Sequence, residues 1–205
     1  MRALVKQSQV PGAAFRVALV VSDKLSAAGL DIARDCGIPT RALPAQKGMD
    51  RAVYDRGLAT AIDECTPSLI VLAGFMHILS PEFVARYAGR ILNIHPSLLP
   101  KYPGLHTHRS VLAARESVHG ATVHFVTAEL DGGPPILQAR VPVRAEDDEA
   151  ALGARVQVQE HGMYPLVVRW FCEGRLLCHG GRAWLDGAAL TEPLMYHGQD
   201  PTRGQ

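Results

Sequence analysis

The fold depends on one sequence element near the middle of the 205-residue chain, Ile91-Leu92-Asn93-Ile94-His95-Pro96. Its aliphatic residues predict a buried strand, and Pro96 ends that strand because proline cannot donate to a central ladder. Asn93 and His95 are two residues apart, so their side chains point to the same face of the sheet. An amide beside an imidazole suits acyl transfer, since the amide can bind an oxyanion and the imidazole exchanges protons near neutral pH. A strand-end Asn or His can equally be a cap or a satisfied polar group.

Outward from this strand, helices and strands alternate along the chain. Helices are predicted over residues 1–9, 31–36, 49–65, 80–89, 108–116 and 147–172, the last interrupted at Pro165, and strands over 16–22, 39–43, 69–73, 121–126 and 136–143. Such alternation is typical of an α/β fold with a doubly wound, mostly parallel sheet. Ligands of these sheets bind beyond the carboxyl ends of the strands, so Gly74–Leu79 and the Asn93–His95 pair are candidate site segments.

The chain length and the C-terminal pattern predict one domain and a tail. Residues 1–190 are expected to form a single domain, in which turns at Gly180-Gly181 and Asp186-Gly187 form small hairpins. Residues 191–205 are rich in Pro, Gly and polar side chains, which predicts a loose C-terminal tail.

Composition excludes several classes of protein. Lys and Arg number 21 against 20 Asp and Glu, so a net charge of +1 provides no basic surface for nucleic acid or an anionic membrane. The four cysteines form no Cys-x-x-Cys pair, which favours reduced thiols. No apolar run is long enough for a membrane span or a signal peptide. We therefore expect a cytoplasmic monomer or homodimer that acts on small molecules.

A candidate acidic residue, Asp131, follows the strand predicted at 121–126. Asp131 precedes Gly132-Gly133, and the Asp-Gly pair alone predicts an ordinary turn. His95, His106, His108, His119 and His124 could in principle form a zinc site, but no His-Glu-x-x-His motif or cysteine pair supports it. No metal is therefore expected.

The central stretch resembles the formyl-transferring folate enzymes, whose shared feature is Asn-x-His followed by Ser-Leu-Leu-Pro, here residues 93–100. Its continuation over 101–108, Lys-Tyr-Pro-Gly-Leu-His-Thr-His, is similar to the phosphoribosylglycinamide formyltransferase branch of purine biosynthesis. The resemblance extends from Met1 to about Leu190. It implies a formyltransferase-like Rossmann-type fold. It also implies transfer of the formyl group of 10-formyltetrahydrofolate, the co-substrate, to the primary amine of phosphoribosylglycinamide.

The resemblance also implies roles for individual residues. Asn93, His95 and Asp131 match the catalytic set, with Asn93 also facing the folate. Met76, Ile78 and Leu79 match the apolar segment that contacts the pterin, with His77 where relatives often have Arg, and Arg51 matches an arginine for the folate or its glutamate. Glu160 matches an acidic contact to the substrate ribose. Without the resemblance, these residues would be core or solvated helix residues.

Relatives in this branch begin with an apolar strand and a Gly-x-Gly-Ser-Asn turn that holds the substrate phosphate. Neither precedes Met1 here. We expect from this that the start was assigned late or the chain is truncated, and that the chain as written binds phosphate poorly. Two alternatives to transfer stay open, a 10-formyltetrahydrofolate hydrolase and a non-catalytic folate-binding protein.

Overall fold

The computed structural model describes residues 1–46 and 48–202. Its helices are α1 (Arg2–Ser8), α2 (Ala28–Asp35), α3 (Arg51–Asp63), α4 (Pro81–Arg86), α5 (Thr107–Ala113) and α6 (Glu149–Cys172). Its strands are β1 (Val20–Ser22), β2 (Thr40–Ala42), β3 (Ile70–Leu72), β4 (Ile91–His95), β5 (Val118–Phe125), β6 (Pro135–Pro142), β7 (Leu176–His179), β8 (Arg182–Leu185), β9 (Ala188–Ala189) and β10 (Leu194–Tyr196). The predicted α/β class is confirmed.

The main sheet is mixed, with strand order β10-β6-β5-β4-β3. β3 is parallel to β4 and β10 is parallel to β6, whereas β5 is antiparallel to both of its neighbours. β1 and β2 form a separate parallel pair, and β7, β8 and β9 form a small antiparallel sheet. The antiparallel β5 brings the end of β4 next to residues 122–124, which places two strands of opposite direction at the candidate site.

The core lies mainly between the main sheet and α6. Val123 and Phe125 of β5 are fully buried, as are Met163 and Val167 of α6, and they belong to one apolar cluster. A second cluster packs α3 and α4 against β4. Burying each large aliphatic or aromatic side chain contributes about 1.5–3 kcal/mol, so this packing fixes the position of β4 and of the residues at its end.

Two helices begin at residues whose side chains cap them. Ser80 caps α4 by accepting from the Phe83 N–H at 3.3 Å, with Pro81 at the first helical position. Asp148 caps α6 by accepting from the Ala151 N–H at 2.7 Å. Both helices therefore begin close to the predicted starts at residues 80 and 147.

The predicted interruption at Pro165 is wrong, because α6 continues through it to Cys172. Pro165 lacks an N–H and normally breaks or kinks a helix interior. Here the neighbouring side chains of Met163, Tyr164 and Val167 are buried in the core, and their packing keeps the helix continuous across Pro165.

The predicted loose tail is wrong for Leu194–Tyr196, which form β10 alongside Leu137–Ala139 of β6. Gly162 makes room for this strand, since a Cβ there would lie 2.2 Å from the Tyr196 hydroxyl. Tail residues 203–205 lie outside the described part of the chain. The strand predicted over 16–22 is also shorter than expected, because only Val20–Ser22 pair with β2.

Within the described residues, no helix is both long and apolar enough to cross a membrane.

Candidate active site

The end of β4 brings polar side chains of two strands to one face. In the antiparallel pairing with β5, Asn93 is opposite His124 and His95 is opposite Thr122. Residues opposite each other in a sheet have their side chains on the same face, so all four point into one region. The alternation predicted for Asn93 and His95 is confirmed. The structure adds His124, which faces them from the neighbouring strand.

Asp131 lies against His95. Its Oδ2 atom is 3.4 Å from His95 Nδ1 and accepts the Gly104 N–H at 2.8 Å. Both side chains are buried, at 6% exposed for His95 and 9% for Asp131. Asp131 has a φ of +50°, so the residue also lies in a tight turn, as its Asp-Gly sequence indicated. The structure therefore brings Asn93, His95 and Asp131 into one group.

The close approach of the Asp131 loop to β5 depends on a glycine. A Cβ at Gly133 would lie 1.9 Å from the carbonyl oxygen of Phe125. Only glycine fits where a backbone carbonyl comes so near. Gly133 thus allows the loop to lie against the strand that carries His124.

The His95 ring has a fixed tautomer. Its Nε2 atom lies 2.9 Å from the Tyr102 carbonyl oxygen, which can only accept a hydrogen bond. Nε2 must therefore carry a proton. Proton exchange is then left to Nδ1, the atom that faces Asp131.

The Asn93 amide is oriented by His124. His124 Nδ1 lies 2.8 Å from the Phe125 carbonyl oxygen and must donate to it, so in the neutral ring Nε2 is an acceptor. Burial is the main cause that lowers the pKa of His124, which favours this neutral ring. Asn93 Nδ2, 3.2 Å from His124 Nε2, donates one hydrogen there and keeps its second N–H for another acceptor.

A buried polar network holds the chain just beyond β4. The Thr122 hydroxyl donates to the Ser97 carbonyl at 2.7 Å and accepts the Leu99 N–H at 3.1 Å. Gln138 Nε2 donates to the Leu99 carbonyl at 2.8 Å and also lies 3.0 Å from Thr122 Oγ1. Buried polar groups that are mutually satisfied rigidify their surroundings. The network thus fixes the path that leads from His95 towards Tyr102.

Residues 76–79, which were matched to folate contact, differ in their exposure to solvent. Met76 and Ile78 are 72% and 65% exposed, whereas Leu79 is 7% exposed and packs with α3 and α4. The Leu79 side chain is therefore unavailable to a ligand, and only its backbone could serve. His77 Nε2 lies 3.0 Å from Asp23 Oδ2, and this hydrogen bond is the main cause that lowers the Asp23 pKa.

Arg51 supports this segment from α3. Its guanidinium lies over the rings of Tyr54 and Phe75, at 4.9 and 5.5 Å from their centroids, and Nη2 is 2.8 Å from Asp55 Oδ1. Asp55 Oδ2 in turn accepts the Ser80 N–H at 2.6 Å. Arg51 is thus a part of the packing beneath residues 75–80, in addition to any contact it makes with a ligand.

Glu160 lies on α6, one turn before Tyr164. The Tyr164 hydroxyl is 2.8 Å from the carbonyl oxygen of Leu72, the last residue of β3, and 3.0 Å from that of Leu92, the second residue of β4, so this part of α6 packs against both strands. Burial raises the pKa of Glu160, and the nearby amino group of Met1 partly opposes that effect. The predicted contact of Glu160 with the substrate ribose stays a prediction.

The histidines do not assemble a metal centre. His108 Nδ1 and His119 Nε2 are hydrogen-bonded at 2.9 Å, and burial lowers the pKa of His119 to about 4. No group of three or more His, Cys, Asp or Glu side chains suited to a metal occurs among residues 1–46 and 48–202.

A half-buried amide beside a buried imidazole and carboxylate at the end of a sheet strand is typical of an enzyme site of the acyl-transfer type. The chain belongs to the formyl transferase family, whose family model matches residues 1–168.

Curated and solved relatives agree with this assignment. The chain is 59% identical to a phosphoribosylglycinamide formyltransferase of Escherichia coli K12 over 174 residues, which are 85% of this chain and 82% of that protein. The solved phosphoribosylglycinamide formyltransferase of Coxiella burnetii is 43% identical with a TM-score of 0.89, covering 96% of this chain and 92% of its own. A formyltetrahydrofolate deformylase of Pseudomonas syringae pv. tomato is less similar, at 27% identity and a TM-score of 0.75 over 83% of this chain and 56% of its own. The predicted fold is confirmed.

Proposed function

We propose that this protein transfers the formyl group of 10-formyltetrahydrofolate to the primary amine of phosphoribosylglycinamide, a step of purine biosynthesis. The observation that carries the proposal is the group at the end of β4, in which the half-buried Asn93 lies beside the buried side chains of His95 and Asp131. The 59% identity to the E. coli enzyme supports the choice of substrate.

The reaction begins when the amine attacks the formyl carbon. A C–N bond forms, and the formyl oxygen becomes an oxyanion in a tetrahedral intermediate. The N–H of Asn93 that is not used by His124 is available to donate to this oxyanion. A positioned donor of this kind acts where charge develops, and its removal from other enzymes costs about 10²–10³ in kcat.

Collapse of the intermediate requires a proton shift. The attacking amine loses a proton, N10 of the folate gains one, and the C–N10 bond breaks to give a formamide and tetrahydrofolate. His95 Nδ1 and Asp131 Oδ2, 3.4 Å apart, supply the proton-exchanging pair. In its protonated form His95 also adds positive charge beside the oxyanion.

The remaining matched residues are assigned to binding. The exposed apolar side chains of Met76 and Ile78, with the backbone of Leu79, are proposed to contact the pterin. Arg51 and His77 are proposed to meet the charged part of the folate, and Glu160 the ribose of the ribonucleotide. Since His77 is already hydrogen-bonded to Asp23, its contact with the folate competes with that bond.

A 10-formyltetrahydrofolate hydrolase is the second candidate, because water could replace the amine at the same site. The similarity to a deformylase structure supports it, but at 27% identity against 59% for the transferase. The two functions differ in one requirement. Transfer needs the amine, and hydrolysis does not.

The test is to follow release of the deformylated folate by the chain with and without phosphoribosylglycinamide, and to identify the formylated product by mass. Release that depends on the ribonucleotide, with one formamide formed per folate, supports transfer. Release of formate without the ribonucleotide supports the hydrolase. Folate binding without any release would overturn both and favour a binding protein.

A further inference from the structure

One short segment, residues 102–104, contacts both members of the proton-exchanging pair. The Tyr102 carbonyl oxygen accepts from His95 Nε2 at 2.9 Å, and the Gly104 N–H donates to Asp131 Oδ2 at 2.8 Å. The first bond fixes which His95 nitrogen is protonated, and the second orients the carboxylate. The chemistry of the pair therefore depends on the position of this backbone.

The backbone of this segment is unusual. Tyr102 has a φ of +56° and Gly104 a φ of +80°. Glycine adopts such values readily, but a tyrosine does so at a cost that surrounding contacts must offset. The Tyr102 conformation thus needs a specific restraint.

That restraint is provided by the Tyr102 side chain. Its hydroxyl donates to Glu116 Oε1 at 3.0 Å, and burial together with the Glu116 carboxylate raises the pKa of Tyr102, which keeps the phenol protonated. Lys101 Nζ donates to the same Glu116 oxygen at 2.8 Å. Glu116 lies between α5 and β5, so the bond ties the segment to the connection between these two elements.

We propose that Tyr102 and Glu116 are positioning residues, which hold the Tyr102 carbonyl against His95 and so keep His95 in its Nε2-protonated tautomer. The assignment rests on the proposed function for its catalytic meaning. The tautomer itself is a property of the folded chain and can be measured without turnover.

The matched variants are Tyr102→Phe and Lys101→Met. Tyr102→Phe removes only the hydroxyl that reaches Glu116. Lys101→Met removes the other hydrogen bond to Glu116 and leaves the tyrosine bond in place. Glu116→Gln is a conservative variant, because an amide oxygen can still accept from the phenol, whereas Glu116→Ala cannot.

The primary measurement is the ¹⁵N NMR spectrum of the histidine side chains at a pH where His95 is neutral, assigned with a His95→Asn spectrum. We expect the Nε2-protonated tautomer in the unmodified chain, in Lys101→Met and in Glu116→Gln. We expect a mixture of tautomers in Tyr102→Phe and Glu116→Ala. An unchanged His95 tautomer in folded Tyr102→Phe and Glu116→Ala would overturn the proposal.

Steady-state kinetics provide the second measurement. In Tyr102→Phe, kcat should fall about tenfold, as for the loss of one positioning hydrogen bond, while the KM for each substrate changes little. A change confined to KM would contradict a positioning role. If the unmodified chain transfers no formyl group, the proposed function fails, and the NMR comparison still decides whether Tyr102 and Glu116 fix the tautomer.

Discussion

The Nδ2 atom of Asn93 lies 3.2 Å from the Nε2 atom of His124, and this contact determines which way the Asn93 amide faces. The His124 ring is itself oriented by its bond to the Phe125 carbonyl. Asn93 and His124 lie opposite each other on antiparallel strands, so the sheet register brings the two side chains together. The pairing of β4 with β5 thus determines the orientation of Asn93, the proposed oxyanion donor.

Replacing His124 by Phe should therefore reduce kcat without a comparable change in KM. Phenylalanine fills the buried space but cannot accept from Asn93, so the amide loses its fixed direction. The expected loss is about tenfold, as for one hydrogen bond of about 1.4 kcal/mol. Initial rates at saturating folate and ribonucleotide measure it. The control is His179→Ala, an exposed histidine on the β7–β8 hairpin, which should leave kcat unchanged. Equal rates for His124→Phe and the unmodified chain would show that His124 does not orient Asn93.

Replacing Asn93 by Ala removes the proposed oxyanion donor itself. We expect kcat to fall by about 10²–10³, the range for one such donor, with modest changes in KM. The double variant Asn93→Ala/His124→Phe should be no slower than Asn93→Ala alone, because His124 acts through Asn93. Additive losses in the double variant would contradict that dependence.

The sequence predicts which site residues share a face when they lie on one strand. It does not predict which residues of different strands lie opposite each other. Two-residue alternation placed Asn93 and His95 on one face. The alternation of β5 also put Thr122 and His124 on one face, but nothing local specifies that β5 is antiparallel to β4 with His124 opposite Asn93. His124 was missed for that reason.

The errors in the predicted secondary structure also arise from contacts between residues that are distant in the sequence. The rule that proline ends a helix failed at Pro165, where burial of the flanking residues in the core keeps α6 continuous. The polar composition after residue 190 indicated a tail, yet Leu194–Tyr196 pair with the open edge of β6. Tertiary contacts determine the structure at Pro165 and at Leu194–Tyr196, and the local sequence gives no signal of these contacts.

The proposed roles of Arg51, His77 and Glu160 stay predictions, because their contacts with the substrates depend on the bound molecules.

The close contact between Gly133 of the Asp131 loop and Phe125 of β5 can be tested by its effect on stability. Gly133→Ala should lower the free energy of unfolding by more than about 2 kcal/mol, since its Cβ would lie 1.9 Å from the Phe125 carbonyl and the backbone must move. Gly132→Ala is the matched control. Its Cβ would meet only the flexible side chain of Glu129, with a nearest distance of 2.5 Å, so a smaller loss is expected. Chemical denaturation of both variants measures the difference. Similar stabilities for the two would show that the loop can move away from β5 without penalty.

The ion pair between Asp147, which precedes α6, and Arg155 of α6 makes stability depend on pH. Asp147 Oδ2 lies 2.7 Å from Arg155 Nη1 and also accepts the Arg144 N–H at 2.8 Å, and the hydrogen bond from Arg155 is the main cause that lowers the Asp147 pKa from 3.8 to about 2. Because the pKa is lower in the folded chain than in the unfolded chain, this contribution is complete above pH 4 and is lost as the pH falls towards 2.

Replacing Asp147 by Asn should therefore lower Tm at pH 7, and the difference from the unmodified chain should shrink between pH 4 and pH 2, the interval between the unfolded and folded pKa values. Asparagine keeps an acceptor for the Arg144 N–H, so the variant reports the charge rather than the turn. Arg155→Gln should reproduce the same pH dependence, and the double variant should add little to either single one. Thermal unfolding at several pH values measures all three. A Tm difference that stays constant from pH 7 to pH 2 would mean that the Asp147 charge does not stabilise the start of α6.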